Sequence, residues 1–370
     1  MLKRAFARGF SSIKVPLPSS KFHNLDESLL PKEATTTKEE LIQYLRDMVT
    51  IRRIEITADN YYKNKEIRGF CHLSDGQEAV AVGMEAGATF EDYLITAYRD
   101  HGQAYMRGES PHAIFAEMFG RKTGSSKGKG GSMHYYNKET NFYGGNGIVG
   151  AQCPVGVGLA FELKYRNKKN CAFVMYGDGA SNQGQLYEGA NMAGLWKLPA
   201  IFICENNLYG MGTSIERSCF NPEIFRRGDR IPGIQIDAQD ILNVRETIKA
   251  VKNYSIDNGP VWLEFLTYRY HGHSMSDPGI SYRNREEIQS MRAQKDPIEK
   301  VKQWLVEHSL SSEQELKDIE KEVRQAVNEA AKKAIEDPFP EDHELYTDIY
   351  HPSSKILLRN VEYHESTTSH

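Results

Sequence analysis

The chain has 370 residues, of which 39% are hydrophobic and 26% are charged, and its formal net charge is -4. This composition is typical of a globular protein with one large domain or two small ones, and no apolar run approaches the ~18 residues that a membrane-spanning helix needs. The nearly balanced charge gives no reason to expect nucleic-acid binding or membrane insertion.

The cysteines are scattered and include no Cys-x-x-Cys pair. They stand at Cys71, Cys153, Cys171, Cys204 and Cys219. We therefore expect neither a disulfide framework nor a zinc site, and we expect the protein to work in a reducing compartment.

The first 24 residues are basic, rich in serine and free of Asp and Glu. Leu2, Phe6 and Phe10 recur every four residues, so they share one face of a helix. A basic, acid-poor, amphipathic start is typical of an organelle transit peptide, which we predict over residues 1–20. The run RGFS at residues 8–11 also resembles a mitochondrial processing site. The alternative interpretation is a solvated basic tail.

A polar extension is expected at residues 21–37, followed by helices and a first strand. Apolar residues at helical spacing predict a helix over 38–63, and a second helix is expected to start at Asp75. The short apolar run over 93–97 suits a buried strand, and a loop rich in Gly, Lys and Ser follows over 122–132. This part of the chain is therefore predicted to be mainly helical, with one strand.

Strands and helices alternate beyond that loop. The predicted elements are a helix over 151–165, a strand over 171–176, a helix over 182–196, a strand over 200–204 and a strand over 261–266. Asn182 is the predicted N-cap of the second of these helices. Alternation of this kind predicts an α/β fold with a doubly wound, mainly parallel sheet that has helices on both faces.

The C-terminal region is predicted to be helical. Ser312 and Glu315 fit a capping box at the start of a helix that ends before Pro338. Its apolar stripe consists of Leu316, Ile319, Val323 and Val327. We expect this helix to pack at the periphery or against another subunit.

Polar residues follow two successive buried strands. Asp178 lies in a Gly-Asp-Gly run directly after the strand over 171–176, and Asn207 ends a Glu-Asn-Asn run directly after the strand over 200–204. In an open α/β sheet, ligands bind at the carboxyl ends of the strands. Carboxylate and amide oxygens suit Mg²⁺, which usually takes one or two carboxylates and completes its octahedron with phosphate and water. The sequence therefore predicts a magnesium site, with phosphates facing the start of the next helix.

This pair of runs resembles the thiamine-diphosphate motif of the transketolase and 2-oxoacid dehydrogenase families. Five further segments resemble the alpha subunits of pyruvate dehydrogenases, namely FCHLSDGQE (70–78), TAYRDHG (96–102), KGKGGSMH (127–134), NGIVG (146–150) and YRYHGHS (268–274). The resemblance covers residues 38–345, which we expect to form one cofactor-binding domain, and leaves residues 346–370 as a tail. A small insertion at 137–140 and Ser74, where many relatives have tyrosine, depart from the pattern.

The resemblance implies a role for individual residues. Asp178 and Asn207 would bind Mg²⁺ through their side chains, and Tyr209 through its backbone carbonyl. The contacts to thiamine diphosphate would come from Tyr98, Arg99, Gly147, Val149, Asp178, Gly179, Ala180, Asn207, Tyr209 and His273. His72 and His273 are the predicted catalytic residues, because an imidazole pKa ordinarily lies near the working pH.

The resemblance also implies an activity and partners. The cofactor would decarboxylate pyruvate, and the acetyl group would pass to the lipoyl arm of an acetyltransferase component. In this class a pyrimidine-binding domain supplies a required glutamate, and this chain carries only the diphosphate half. A beta subunit is therefore expected in an α₂β₂ heterotetramer of the mitochondrial matrix. Ser214, Ser274 and Ser281 match serines that a kinase and a phosphatase regulate in the family, and the last two fall in a loop predicted over 268–283.

Three alternative functions share parts of this pattern. The alpha subunits of branched-chain 2-oxoacid or acetoin dehydrogenases have the same metal motif, although the run HGHSMSDP at 271–278 favours pyruvate, and a transit peptide argues against a bacterial acetoin enzyme. A non-catalytic regulatory paralogue would be expected to lack ligands, and Asp178, Asn207, Arg99 and His273 are all present. A nicotinamide-binding enzyme is disfavoured because no Gly-x-Gly-x-x-Gly opens the first strand–helix unit.

Overall fold

The computed structural model describes residues 12–350, so residues 1–11 of the predicted transit peptide and 351–370 of the predicted tail lie outside the described residues. The strands are β1 (Ser12–Pro16), β2 (Lys21–His23), β3 (Glu33–Thr37), β4 (Tyr93–Ala97), β5 (Phe142–Asn146), β6 (Ala172–Gly177), β7 (Ala200–Asn206), β8 (Tyr209–Gly210), β9 (Thr213–Ser214), β10 (Gly233–Asp237) and β11 (Val261–Leu266). The helices are α1 (Lys38–Lys63), α2 (Glu78–Gly87), α3 (His101–Met106), α4 (Pro111–Met118), α5 (Gln152–Tyr165), α6 (Gly184–Leu195), α7 (Ile215–Ser218), α8 (Ile241–Asn258), α9 (Arg285–Lys295), α10 (Pro297–Glu307) and α11 (Glu313–Glu336).

A seven-stranded sheet organises the fold, in the spatial order β2-β10-β11-β7-β6-β4-β5. Neighbouring strands are parallel, except that β2 runs antiparallel to β10. The predicted α/β fold with a mainly parallel sheet is therefore confirmed. The chain places β5 on one side of β4 and β6 on the other, so the winding direction reverses at β4. Such a switch point opens a crevice between the strand ends, where ligands bind.

The two faces of the sheet are covered unequally. Alternate side chains of the strands, such as Phe173 and Val174 of β6, belong to two separate hydrophobic cores. One core is closed by α2 and α8, outside which α1 packs with α10 and α11. The other core is closed by α5 and α6. The outer surface of α5 and α6 consequently forms one flank of the molecule.

Several predicted boundaries agree with the structure. The helix α1 and the strands β4 and β11 have the predicted limits, and the capping box of Ser312 and Glu315 starts α11 as predicted. The stripe on α11 is buried against α1 and α4. The segment predicted as a polar extension contains β2 and β3, and β3 pairs with β1, which lies within the predicted transit peptide.

Two predicted helix starts are wrong. The helix α2 begins at Glu78, because the Asp75 carboxylate accepts a hydrogen bond from His271 and Gly76 turns the chain with a φ of 97°. The helix α6 begins at Gly184, after a 3₁₀ turn over Gly179–Asn182. Asn182 is therefore not its N-cap, and its side chain instead donates to the carbonyl oxygen of Ser218.

The five cysteines are buried and unpaired, which confirms that they form no disulfide framework. Among residues 12–350, no helix combines the length and the apolar character that crossing a bilayer requires.

Candidate active site

The predicted ligands converge on one edge of the sheet. Tyr98 and Arg99 follow β4, Gly147 and Val149 follow β5, Asp178, Gly179 and Ala180 follow β6, Asn207 and Tyr209 follow β7, and His273 lies in the segment after β11. Because these five strands are parallel neighbours, their carboxyl ends form one continuous edge at the switch point. The residues that sequence analysis assigned to one site are thus brought together by the topology.

Asp178 and Asn207 present two buried oxygens at this edge. Oδ2 of Asp178 and Oδ1 of Asn207 are inaccessible to solvent and have no hydrogen-bond partner among residues 12–350. Burial raises the pKa of Asp178 to about 6, and the Arg269 guanidinium opposes that rise. A cation would favour the ionised carboxylate and satisfy both oxygens. The pair therefore fits a hard metal ion such as Mg²⁺.

A tight turn after β7 brings the segment that contains Tyr209 back towards Asp178. Leu208 has a φ of 72°, and its backbone N–H donates to the Asn206 side chain at 3.1 Å, which stabilises the reversal of the chain after β7. A Cβ atom on Gly179 would lie only 3.3 Å from the Cα of Gly210, so the turn packs against the backbone that follows Asp178. Glycine permits this approach.

Two buried guanidinium groups lie near the candidate metal ligands Asp178 and Tyr209. Arg99 donates to the carbonyl of His273 at 2.9 Å, and Arg269 donates to the carbonyls of His271 and Tyr209 at 3.2 and 3.1 Å. Within the described part of the chain, neither guanidinium pairs with a carboxylate. Burial, with the Arg99 charge, lowers the pKa of Arg269 to about 10, so the group is still protonated at neutral pH. Two buried cations without counter-ions suit an anionic ligand such as a diphosphate.

Arg269 is a candidate ligand that sequence analysis missed. It lies just beyond the carboxyl end of β11, and its side chain is fully buried. The reasoning that singled out Asp178, a charged residue directly after a buried strand, applies equally to Arg269 and is the signal that could have identified it.

The rings of His72, Tyr98 and His273 form a cluster in which each ring lies next to the other two. The His72 ring is 4.2 Å from the Tyr98 ring and 5.3 Å from the His273 ring, measured between centroids, and the Tyr98 hydroxyl lies 3.3 Å from Nε2 of His273. Burial and then the Arg99 charge lower the pKa of His72 to about 2 and that of His273 to about 3. The expectation that these imidazoles titrate near neutral pH is therefore wrong for this structure, in which both rings are neutral.

Gly147 and Val149 are exposed, unlike the buried Arg99, Asp178 and Asn207. They flank Ile148, which is 71% exposed, in the turn that precedes α5. The carbonyl of Val149 accepts a hydrogen bond from Gln185 of α6 at 3.3 Å. This turn forms an open apolar rim beyond the end of β5, which is the edge strand of the sheet.

An irregular loop over 267–284 closes the other side, which confirms the predicted loop. Arg283 is buried and donates to the carbonyls of Arg269 and His271 at 2.7 and 2.6 Å. The Asp277 carboxylate accepts from the His273 backbone N–H at 2.7 Å. These bonds tie the conformation of the loop to the position of His273.

The three candidate phosphorylation serines differ in accessibility. Ser274 is only 5% exposed, and its hydroxyl lies 2.9 Å from that of Ser276. Ser281 is exposed, and Ser214 is half-buried at the start of α7. A kinase could reach Ser281 directly, whereas access to Ser274 requires the loop to move.

Comparisons with known proteins agree with this geometry. The family model described as "Dehydrogenase E1 component" matches residues 46–343. The chain is 55% identical to the pyruvate dehydrogenase E1 component subunit alpha-1, mitochondrial, of Oryza sativa subsp. japonica. The alignment spans 319 residues and covers 86% of this chain and 82% of that protein. The chain is 54% identical over 340 residues to the somatic-form mitochondrial alpha subunit of Rattus norvegicus, covering 92% of this chain and 86% of the relative. The mitochondrial alpha subunit of Pisum sativum is 52% identical over 339 residues.

Proposed function

Since the chain belongs to the dehydrogenase E1 component family, we propose that it is the alpha subunit of a mitochondrial pyruvate dehydrogenase that uses thiamine diphosphate and Mg²⁺. The observation that carries the proposal is the pairing of two unneutralised buried guanidiniums, of Arg99 and Arg269, with two unpartnered buried oxygens, of Asp178 and Asn207. A magnesium diphosphate would satisfy both pairs of groups. Its phosphate oxygens would accept hydrogen bonds from the guanidiniums, and its metal ion would bind the Asp178 and Asn207 oxygens.

The positions of the other site residues suggest which part of the cofactor each of them would contact. Asp178, Asn207 and the Tyr209 carbonyl would hold the metal. Arg99, Arg269, Tyr98 and His273, with the backbone of Gly179 and Ala180, would hold the diphosphate. Gly147 and Val149 would lie against the aminopyrimidine on the exposed rim. We propose residues 38–345 as the cofactor-binding domain, residues 1–20 as the targeting segment and 346–370 as the tail.

His72 is the residue best placed to meet the substrate. Its Nδ1 is buried and has no hydrogen-bond partner among residues 12–350. Thiamine diphosphate, when bound, supplies the electron sink for decarboxylation of a 2-oxoacid. The chain's own contribution is to orient the substrate: neutral His72 can hold a substrate oxygen or accept a proton, and His273, fixed by Tyr98, closes the side of the diphosphate. The negative diphosphate would offset the two arginines and raise the pKa of both imidazoles.

A beta subunit would complete the site from the side of the exposed rim. The outer surface of α5 and α6 carries exposed apolar side chains, namely Val155, Phe161, Tyr165, Met192, Leu195 and Trp196. The Phe161 ring lies 5.8 Å from the Trp196 ring. This patch continues from Ile148 and Val149, where the cofactor's aminopyrimidine would emerge, so a chain that supplies the missing pyrimidine-binding half would cover both. We therefore propose this flank as the beta-subunit interface of an α₂β₂ heterotetramer.

Phe161→Glu should weaken assembly with the beta subunit by at least ~30-fold, because truncating or charging an aromatic anchor at an interface centre costs about 2 kcal/mol or more. Sedimentation of the mixed subunits across a concentration series measures this. The matched control is Phe339→Glu, because Phe339 is also exposed, at 59%, but follows α11, which packs against α1 on the other face of the sheet. Parent-like assembly of Phe161→Glu would mean that the beta subunit docks elsewhere.

Within the proposed complex, the loop over 267–284 would receive the lipoyl domain of the acetyltransferase component and pass on the acetyl group. Ser214, Ser274 and Ser281 would be the sites of a regulatory kinase and phosphatase. The enzyme would work in the mitochondrial matrix, to which the basic N-terminal segment would direct it.

The experiment that tests the proposed function is a substrate comparison. The chain reconstituted with its beta subunit should decarboxylate pyruvate in preference to branched-chain 2-oxoacids and acetoin, and only with Mg²⁺ and thiamine diphosphate. Preference for a branched 2-oxoacid would assign the chain to the related branched-chain enzymes.

A further inference from the structure

A buried series of side-chain hydrogen bonds leads to Asn207, at the edge of the sheet where the proposed metal site lies. The Asn207 amide nitrogen Nδ2 donates to Oε1 of Gln77 at 3.2 Å, and Nε2 of Gln77 donates to Oε1 of Glu205 at 3.0 Å. All three side chains are at most 6% exposed. Gln77 precedes α2 and makes no capping bond with its side chain, so both ends of its amide are committed to this series.

We propose that Gln77 is a positioning residue that orients the Asn207 amide so that its oxygen faces the metal, and that Glu205 fixes Gln77 in turn. The inference rests on the proposed function of the site as a magnesium diphosphate site. Gln77 is not itself proposed as a metal ligand, and it would act through Asn207, whose amide it contacts.

The need for such a residue follows from the shape of an amide. The oxygen and nitrogen of an asparagine side chain are nearly equal in size, and a rotation of 180° exchanges them. One orientation offers a metal an oxygen ligand, and the other points an N–H donor at a cation. The choice depends on what the other atom of the amide meets. Here Nδ2 of Asn207 meets an acceptor, so Oδ1 is left buried and unpartnered beside Asp178.

Glu205 removes the same ambiguity at Gln77. A glutamine could turn its own amide over and offer a donor to Asn207, which would favour the wrong orientation there. Oε1 of Glu205 lies 3.0 Å from Nε2 of Gln77, and an acceptor at that place selects the orientation in which Nε2 of Gln77 points towards Glu205 and Oε1 points towards Asn207. The direction of donation therefore runs from Asn207 through Gln77 to Glu205. Partners that orient metal ligands in this way typically contribute ~10–100-fold to metal affinity.

The test is the Mg²⁺ dependence of thiamine-diphosphate binding by the α/β complex, followed by protein fluorescence and by thermal unfolding. Gln77→Met keeps the side-chain volume and removes both hydrogen bonds. It should raise the Mg²⁺ concentration for half-saturation ~10–100-fold. The matched control is Gln103→Met. Gln103 is a buried glutamine of α3 whose amide nitrogen contacts only the Met175 sulfur, at 3.8 Å, so this variant should keep the parent's Mg²⁺ requirement.

A second variant covers the case in which Gln77→Met does not fold. Glu205→Gln preserves size but gives Gln77 a partner that can donate as well as accept, so the Mg²⁺ requirement should again rise. Thermal unfolding without cofactor should stay close to that of Gln103→Met, which a merely structural role for Gln77 would not predict. An unchanged Mg²⁺ requirement in Gln77→Met or Glu205→Gln overturns the proposal. Asp178→Ala distinguishes a failure of the Gln77 proposal from a failure of the proposed metal site. If Asp178→Ala also leaves Mg²⁺ binding unchanged, the metal site itself is misplaced.

Discussion

Asp178→Ala is expected to abolish magnesium-dependent binding of thiamine diphosphate to the reconstituted enzyme. Asp178 is the only charged side chain among the proposed metal ligands, and its Oδ2 is buried beside the Asn207 oxygen. Loss of a residue that only orients a metal ligand costs ~10–100-fold in affinity, so loss of a direct anionic ligand should cost at least ~100-fold. A binding titration of cofactor at several Mg²⁺ concentrations measures the effect.

The control for this prediction is Asp178→Asn, which keeps the side-chain volume and one oxygen while removing the charge. It should bind the cofactor more weakly than the parent but more tightly than Asp178→Ala. Cofactor affinity that is unchanged in both variants would contradict the assignment of the metal site to the carboxyl ends of β6 and β7.

Ser274→Glu is expected to assemble with the beta subunit and bind the cofactor, yet to retain little overall activity. Ser274 is buried in the loop that holds His273, and its hydroxyl faces that of Ser276. A glutamate places a charge there, and a phosphate would bring about -1.5 to -2 charges close to the diphosphate and the substrate carboxylate. Like-charge repulsion and the cost of burying the charge should displace the loop and hinder the lipoyl arm. Acetyl transfer to a lipoyl domain, compared with cofactor binding, measures the difference.

Ser274→Ala is the matched variant, because it removes the hydroxyl without adding charge. It should keep substantial activity and resist kinase inactivation at that position. If Ser274→Glu were as active as the parent, and the enzyme phosphorylated at Ser274 also kept its rate, the regulatory interpretation of this loop would be wrong.

The elements that could be predicted from the sequence are those whose signals are local. Short, mostly apolar runs predicted β4 and β11 to the residue, and a regular apolar period predicted α1 and α11. Strand β5 escaped prediction because its sequence, FYGGN, lacks that signal. Its glycines are explained only by distant neighbours: a Cβ on Gly145 would lie 2.1 Å from the Asp100 carboxylate and 2.3 Å from the Met133 carbonyl. Such contacts exist only in the folded chain.

The same distinction applies to the site. Asp178 and Asn207 were predicted because each directly follows a strand that could be recognised, and the resemblance supplied their roles. The pKa of His72 could not be predicted, because it depends on burial and on the charge of Arg99, which follows β4 much further along the chain. The contacts of Gln77 with Glu205 and Asn207 span 128 and 130 positions of the chain, so no local sequence pattern predicts them.

We propose that this chain holds the diphosphate half of a site that a beta subunit completes. The most direct measurement is carbon dioxide release from pyruvate, with Mg²⁺ and thiamine diphosphate present, by the chain alone, by the beta subunit alone and by their mixture. We expect release by the mixture and none above background by either chain alone. Pyruvate-dependent release by this chain alone, or the absence of release from a mixture that has assembled and bound the cofactor, would contradict it.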